Sequence, residues 1–184
     1  MTVVAAKWTL AEYHRMIAAG VLDNRQVELL KGEIIETAPE GEPHAYFSSE
    51  SGNYFVRLLG DQATVRQAKP ITLPNQSEPA PDIAIVRPLG AAYLRHHPYP
   101  EDIFWVIEYS ETSLKKDLEL KTQTYAEVAI AEYWVVNLKN RSVIVFRDPQ
   151  AGRYTLEQAY TEGSIQPLAF PALRIPVSKL VTAH

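Results

Sequence analysis

Apolar positions along this chain recur every three to four residues in some stretches and every one or two in others, a switch that predicts helices and strands in turn. Leu10, Tyr13 and Ile17, with Leu22 beyond, form a helical stripe that opens on Thr9 with Glu12 three residues later and stops near Gly20. "QVELLKGEIIET" alternates on either side of Lys31-Gly32 and predicts a hairpin. Tyr46, Phe47, Tyr54, Phe55, Leu58 and Leu59 return to helical spacing and end at Gly60. From Ala63 the texture becomes β-rich: "ATVRQAKPITL", "PDIAIV" and "DIFWVIEYS" predict three strands set apart by Pro-rich connections. "SETSLKKDLELKTQTYAEVAIA" predicts a helix from near Thr112, with Leu114, Leu118, Tyr125 and Val128 on its stripe, and "EYWVVNL" is a fully apolar strand directly after it. That strand–helix–strand order predicts a crossover unit. "RSVIVFRDPQAGRYTLEQAYTEG" predicts a hairpin around Asp148-Pro149 and Ala151-Gly152, before a Pro-rich end. The sum is an α/β protein with a central mixed sheet flanked by helices, preceded by a helix and a hairpin.

Composition narrows the setting. The 184 residues, 46% of them hydrophobic, suit one domain over 1–184, and the 13 Pro punctuate elements rather than gather into a linker. With no Cys, neither a disulfide framework nor a thiolate zinc site can form, which fits a reducing compartment. The first residues lack a basic start leading into an apolar run, and no stretch approaches the ~20 apolar residues of a membrane helix, so a soluble, cytoplasmic protein with no membrane partner is expected. A net charge of −4 argues against a general nucleic-acid coat or polybasic membrane binder. It leaves room for a metal-dependent nuclease, whose centre is itself built from carboxylates.

Glu108 breaks an apolar run. On "FWVIEYS" its neighbours Trp105, Val106 and Ile107 point to a strand covered on both faces, where an unpaired carboxylate is costly; alternatively the strand ends here and Glu108 and Ser110 meet solvent. Asp82, after Pro81 at the start of "PDIAIV", stands where a second acid can meet Glu108 across the ladder, although Pro-Asp is also a common turn opening. Two facing carboxylates repel unless a proton or cation lies between them, and such oxygen donors suit a hard divalent ion such as Mg2+, with Mn2+ as its substitute. Asp117, Lys121 and Tyr125 share one helix face by their i, i+4 and i+8 spacing. Read structurally, Asp117 and Lys121 form an exposed pair; read functionally, Lys121 reaches past the strand end towards a phosphate. Glu28, between Val27 and Leu29, is either a solvent-facing strand residue or a supporting acid.

The ordered set Glu28, Pro81-Asp82, Glu108-Tyr109-Ser110, Lys121 and Tyr125 resembles the PD-(D/E)XK nuclease superfamily, and more narrowly the chain resembles the Uma-type family of restriction-endonuclease-like proteins. The likeness runs through "VELLKGEII", His44, "PAPDIAIV", "WVIEYSETSLKKDLELKTQTYAEVAIAEYWVVN" and "VIVFR". It implies a restriction-endonuclease-like fold and Mg2+-dependent hydrolysis of phosphodiester bonds in DNA. Carried over by position, Asp82 and Glu108 would bind the metal with the Tyr109 carbonyl as a further ligand, Glu28 would support the shell, and Lys121 would be the catalytic cation. One departure stands out. The superfamily places its Lys two residues after the acid, where this chain has Ser110, so the amine has shifted to the next helix. Tyr125 stands at the spacing of a DNA-contacting Tyr in the recombination-nuclease branch, but Gln123 is out of register for that motif, and core packing is the better reading of Tyr125.

Arg66, Lys69, Arg87, Lys115 and Lys116 are candidates to position phosphates. His44, His96 and His97 are candidate bases or DNA contacts, with His96-His97 read as a solvated loop. A homodimer, as many restriction-type enzymes form, is a further expectation; "YLRHHPYP" is either its contact or a plain surface loop. The rival to an endonuclease is a catalytically inactive nuclease-like DNA-binding or protein-interaction module. A glycosidase using Asp82 and Glu108 as acid and base would want a cleft of exposed aromatics, whereas the three Trp fall mostly in apolar runs.

Overall fold

A computed structural model of the chain describes residues 5–110 and 116–183, without the side chains of 116–118. Helix α1 (Leu10–Ala18) opens on the expected capping box: the Glu12 N–H donates to Thr9 Oγ1, and the Thr9 N–H donates to Glu12 Oε2 at 2.9 Å. Strands β1 (Val27–Leu30) and β2 (Glu33–Glu36) pair antiparallel around Lys31-Gly32, whose positive φ values, 50° and 77°, form the two-residue turn that matches strand twist. Gly32 is required twice over, since a Cβ there would also stand 3.0 Å from the Trp8 carbonyl. Helix α2 (Glu42–Leu59) has Pro43 in its first turn and ends at Gly60.

The central sheet runs β3 (Thr64–Gln67), β4 (Ile83–Val86), β5 (Ile103–Ser110), β6 (Glu132–Asn137), β7 (Ser142–Gln150) and β8 (Arg153–Tyr160), in that spatial order. Every neighbouring pair is antiparallel except β5 and β6, which helix α3 (Lys116–Glu127) connects as the predicted crossover, so the sheet is mixed. Side-chain alternation along β5 divides the interior. Trp105, Ile107 and Tyr109 point into one layer with Phe55 and Leu59 of α2 and Leu180 of the short helix α4 (Ser178–Val181), closed by the small pair β9 (Ser164–Ile165) and β10 (Ile175–Pro176). Val106 points into the other layer, with Tyr125 of α3 and Tyr133, Val135 and Phe146 of the sheet. Both layers cover the strand, so its nearly continuous apolar run is explained.

Two expectations need correction. "ATVRQAKPITL" is not one strand: β3 stops at Gln67 because Ala68 turns to φ 47°, and Ile71 and Leu73 are buried beyond the corner. Likewise the β7–β8 turn is made by Ala151-Gly152 alone, at φ 48° and 77°. Asp148 is instead an irregular strand position at φ 56°, held by the Thr155 hydroxyl, and Pro149 pairs with Tyr154 within the ladder. Thr112, Leu114 and the side chain of Leu118, expected at the start of α3, lie outside the described residues. Among the described residues no helix is long and apolar enough to cross a membrane.

Candidate active site

Extending the Ile83–Ile107 register by one residue sets Asp82 level with Glu108, as the ladder argument expects. The two do not face each other symmetrically. Asp82 Oδ2 accepts the Tyr109 N–H at 2.6 Å, while Oδ1 lies 2.9 Å from His44 Nε2, so this acid caps the end of β5 and ties α2 to it. Glu108 points into the α3 layer. Its Oε1 accepts from Lys121 Nζ at 2.9 Å and from the Tyr125 hydroxyl at 2.8 Å, and among the described residues its Oε2 takes no hydrogen bond. A helix running back along the sheet thus delivers an amine to the strand it follows.

Glu28 completes this group. Buried on β1, its Oε1 accepts the Ala80 N–H at 2.9 Å and its Oε2 lies 3.4 Å from Lys121 Nζ, with no hydrogen-bond donor of its own among the described residues. The solvent-facing alternative for Glu28 is therefore excluded, as is the exposed alternative for Glu108, which is 8% exposed. Lys121 is no exposed partner of Asp117: the side chain of Asp117 lies outside the described residues, and Lys121 turns inward to two buried carboxylates, leaving 17% of its own side chain exposed. Tyr125 is wholly buried and belongs to the core, as read from sequence, with the added bond to Glu108.

The electrostatics follow from this packing. Burial pushes the Glu108 carboxyl up, Lys121 draws it back, and the neighbouring charges of Asp82 and Glu28 push it up again, to about 7. For Lys121, burial by itself favours the neutral amine, but Glu108 and then Glu28 outweigh it and hold the ammonium above its ordinary value. His44 behaves alike: burial lowers it, the bond and charge of Asp82 raise it more, and the net direction is up. The acids thus hold Lys121 and His44 in their charged forms, while burial and its like-charged neighbours make Glu108 itself harder to ionise.

Backbone geometry adds an acceptor. The Ser110 carbonyl accepts the Leu138 N–H at 3.0 Å on the β6 side, and alternation along the strand turns the Tyr109 N–H and C=O the other way, towards Asp82. The residue level with Tyr109 there is Pro81, which has no N–H to offer that carbonyl. The Tyr109 side chain goes to the opposite layer, where its hydroxyl donates to Ser51 of α2 at 2.5 Å and burial pushes its pKa up.

The other basic candidates have varied surroundings. Arg66 is half-buried, lies 5.5 Å from the Tyr93 ring and reaches His97, whereas Arg87 donates to the Glu101 carbonyl and lies 5.5 Å from the Phe104 ring while remaining exposed. Lys69 is exposed, and Lys115 and the side chain of Lys116 lie outside the described residues. His96-His97 is no solvated loop: His96 stacks on Tyr99 at 4.7 Å and both imidazoles are half-buried. Sequence reasoning missed Glu40, which with His44 and Asp82 offers ligand atoms all within 4.8 Å of one another. Its signal was the spacing of four from His44 across the start of α2. Ser51 carried no signal, because its partner Tyr109 is 58 residues away.

Oxygen donors that could hold a divalent ion gather around Asp82, whose closest grouping of ligand atoms among the described residues is with Glu40 and His44. Asp82 has lone pairs beyond its two bonds, Glu108 Oε2 takes no hydrogen bond among the described residues, and the Tyr109 carbonyl faces the Asp82 side. A family model described as "Uma2: Putative restriction endonuclease" matches residues 10–178. Among solved structures, the crystal structure of a putative nuclease belonging to DUF820 from Anabaena variabilis ATCC 29413 is similar, with a TM-score of 0.73 at 15% identity over 94% of this chain and 96% of that one. At that identity the likeness speaks for the fold alone. No curated protein matches the chain significantly.

Proposed function

The chain belongs to the Uma2 family of putative restriction endonucleases, and from that premise we propose that it is an endonuclease that hydrolyses phosphodiester bonds in DNA with Mg2+. The observation that carries this reading is the Lys121 ammonium 2.9 Å from Glu108, on the strand whose next N–H holds Asp82. Asp82, Glu108 Oε2 and the Tyr109 carbonyl would hold the ion, and a bound Mg2+ would supply Lewis-acid polarisation of a phosphate oxygen together with a lowered pKa for water. Glu28 keeps the amine charged and fixed, since its buried Oε2 has Lys121 as its nearest cation. Lys121 would neutralise charge that develops on the phosphate in the transition state. His44 holds the Asp82 carboxylate at its angle to β5. The ammonium's location about one and a half helical turns into α3 would replace the amine that the strand itself lacks at Ser110. Purified protein with supercoiled plasmid tests this: Mg2+ or Mn2+ should give nicked product, and Asp82→Asn or Glu108→Gln should abolish it while the fold is retained. Persistent cleavage by either variant would remove the assignment.

A further inference from the structure

A hollow of about 630 Å³ opens at the end of the sheet where β5 and β6 terminate, lined by Pro43, Phe47, Leu138, Lys139, Arg141 and the C-terminal residues from Val181. It adjoins the candidate centre by two links. Pro43 precedes His44, the partner of Asp82, and Leu138 bonds the carbonyl of Ser110, which lies two residues, about 7 Å, past Glu108. Its charge is the opposite of the chain's: among the described residues no acid lines it, although the protein as a whole carries −4. Lys139 and Arg141 are exposed on the β6–β7 turn, and among the described residues neither forms an ion pair. Between them and α2 lie Leu138 and the ring of Phe47, both half-buried.

Cations beside an aromatic and apolar floor suit a nucleotide whose base is unpaired. The phosphate takes the cations and the base lies on the apolar surface, whereas a duplex keeps its bases stacked away from any such floor. Resting on the nuclease reading above, we infer that this hollow receives an unpaired stretch of the substrate strand next to the scissile phosphate, so that the preferred substrate is single-stranded DNA or a single-stranded segment of a larger molecule. Phosphates beyond the cut lie along Lys139 and Arg141, and the adjoining base contacts Phe47.

Fluorescence anisotropy with the full-length protein in EDTA tests this, using a labelled single strand of about 15 nucleotides and the same sequence as a duplex. The single strand should bind about tenfold more tightly. Lys139→Ala combined with Arg141→Asn, which keeps a residue tolerant of the φ of 49° at position 141, should weaken single-strand binding about tenfold. It should also flatten the dependence of log affinity on log salt by about 1.4, for two lost phosphate contacts at about 0.7 each. Arg153→Ala, an exposed cation at the opposite end of β7, should change neither. Equal binding of duplex and single strand, or wild-type affinity and slope in the double variant, would overturn the inference. Plasmid nicking by Mg2+ separates the causes: if nicking persists, only the role of the hollow fails, and if neither binding nor nicking occurs, the nuclease reading falls with it.

Discussion

Lys121 Nζ lies 2.9 Å from Glu108 Oε1 and 3.4 Å from Glu28 Oε2, so one ammonium compensates two buried carboxylates from β5 and β1. Removing it leaves both without a cation. Lys121→Met should therefore abolish cleavage and also lower stability in EDTA by about 3–5 kcal/mol, the usual cost of breaking a buried pair from one side. Urea denaturation with and without Mg2+ reads this, and a divalent ion should restore part of the loss because it replaces the missing positive charge.

Glu28 offers a finer probe, because it supports the amine without standing beside the reacting phosphate. In Glu28→Gln the ammonium loses one of the three charges that raise its pKa, so its value should fall. A rate that depends on charged Lys121 should then drop at lower pH on the alkaline side than it does in the wild type. An alkaline limb that does not move would assign Glu28 to architecture alone.

His44 predicts a pH-dependent stability with a definite sign. Its folded-state pKa is raised, chiefly by Asp82 against the opposing effect of burial, above the ordinary 6.5. Above that ordinary value the folded protein holds a proton that the unfolded chain has released, so stability must fall as pH rises through the folded pKa. The contribution is complete below about pH 6.5. His44→Gln should flatten this slope, and chemical denaturation in EDTA at about pH 6 and about pH 8 compares the two proteins.

Gly52 tests the helix that carries His44 and Ser51. A Cβ at this position would stand 2.2 Å from the Gln67 side chain, so Gly52→Ala should cost about 1–3 kcal/mol by overpacking. Because the obstacle is a side chain and not backbone, Gly52→Ala with Gln67→Ala should recover most of the loss. Thermal melts of the two single variants and the double would show that coupling.

The reach of the sequence can be traced residue by residue. Glu108 and Lys121 belong to one strand–helix unit, and the apolar run around the first and the helical spacing of the second locate both. Asp82 was legible through Pro81, and Glu28 through the apolar residues on either side of it. What could not be read is contact between distant elements. Ser51 meets Tyr109, and Glu40 meets Asp82, only because α2 packs across the end of β5, and no local pattern encodes that crossing. The surroundings of Arg66 and Arg87 were hidden for the same reason: a cation's sequence neighbours do not reveal the Tyr93 and Phe104 rings beside it. Lys139 and Arg141 carried no motif, and only the junction of three elements at the sheet end gives them a surface to serve.

Consecutive residues of β5 serve opposite layers, Glu108 towards Lys121 and Tyr109 towards Ser51. A slip of one position during assembly would drive the carboxylate among Phe55 and Trp134 and strand the phenol against an ammonium. The polar end of β5 therefore penalises misalignment, because a shifted strand would bury the Glu108 carboxylate among apolar side chains away from its ammonium.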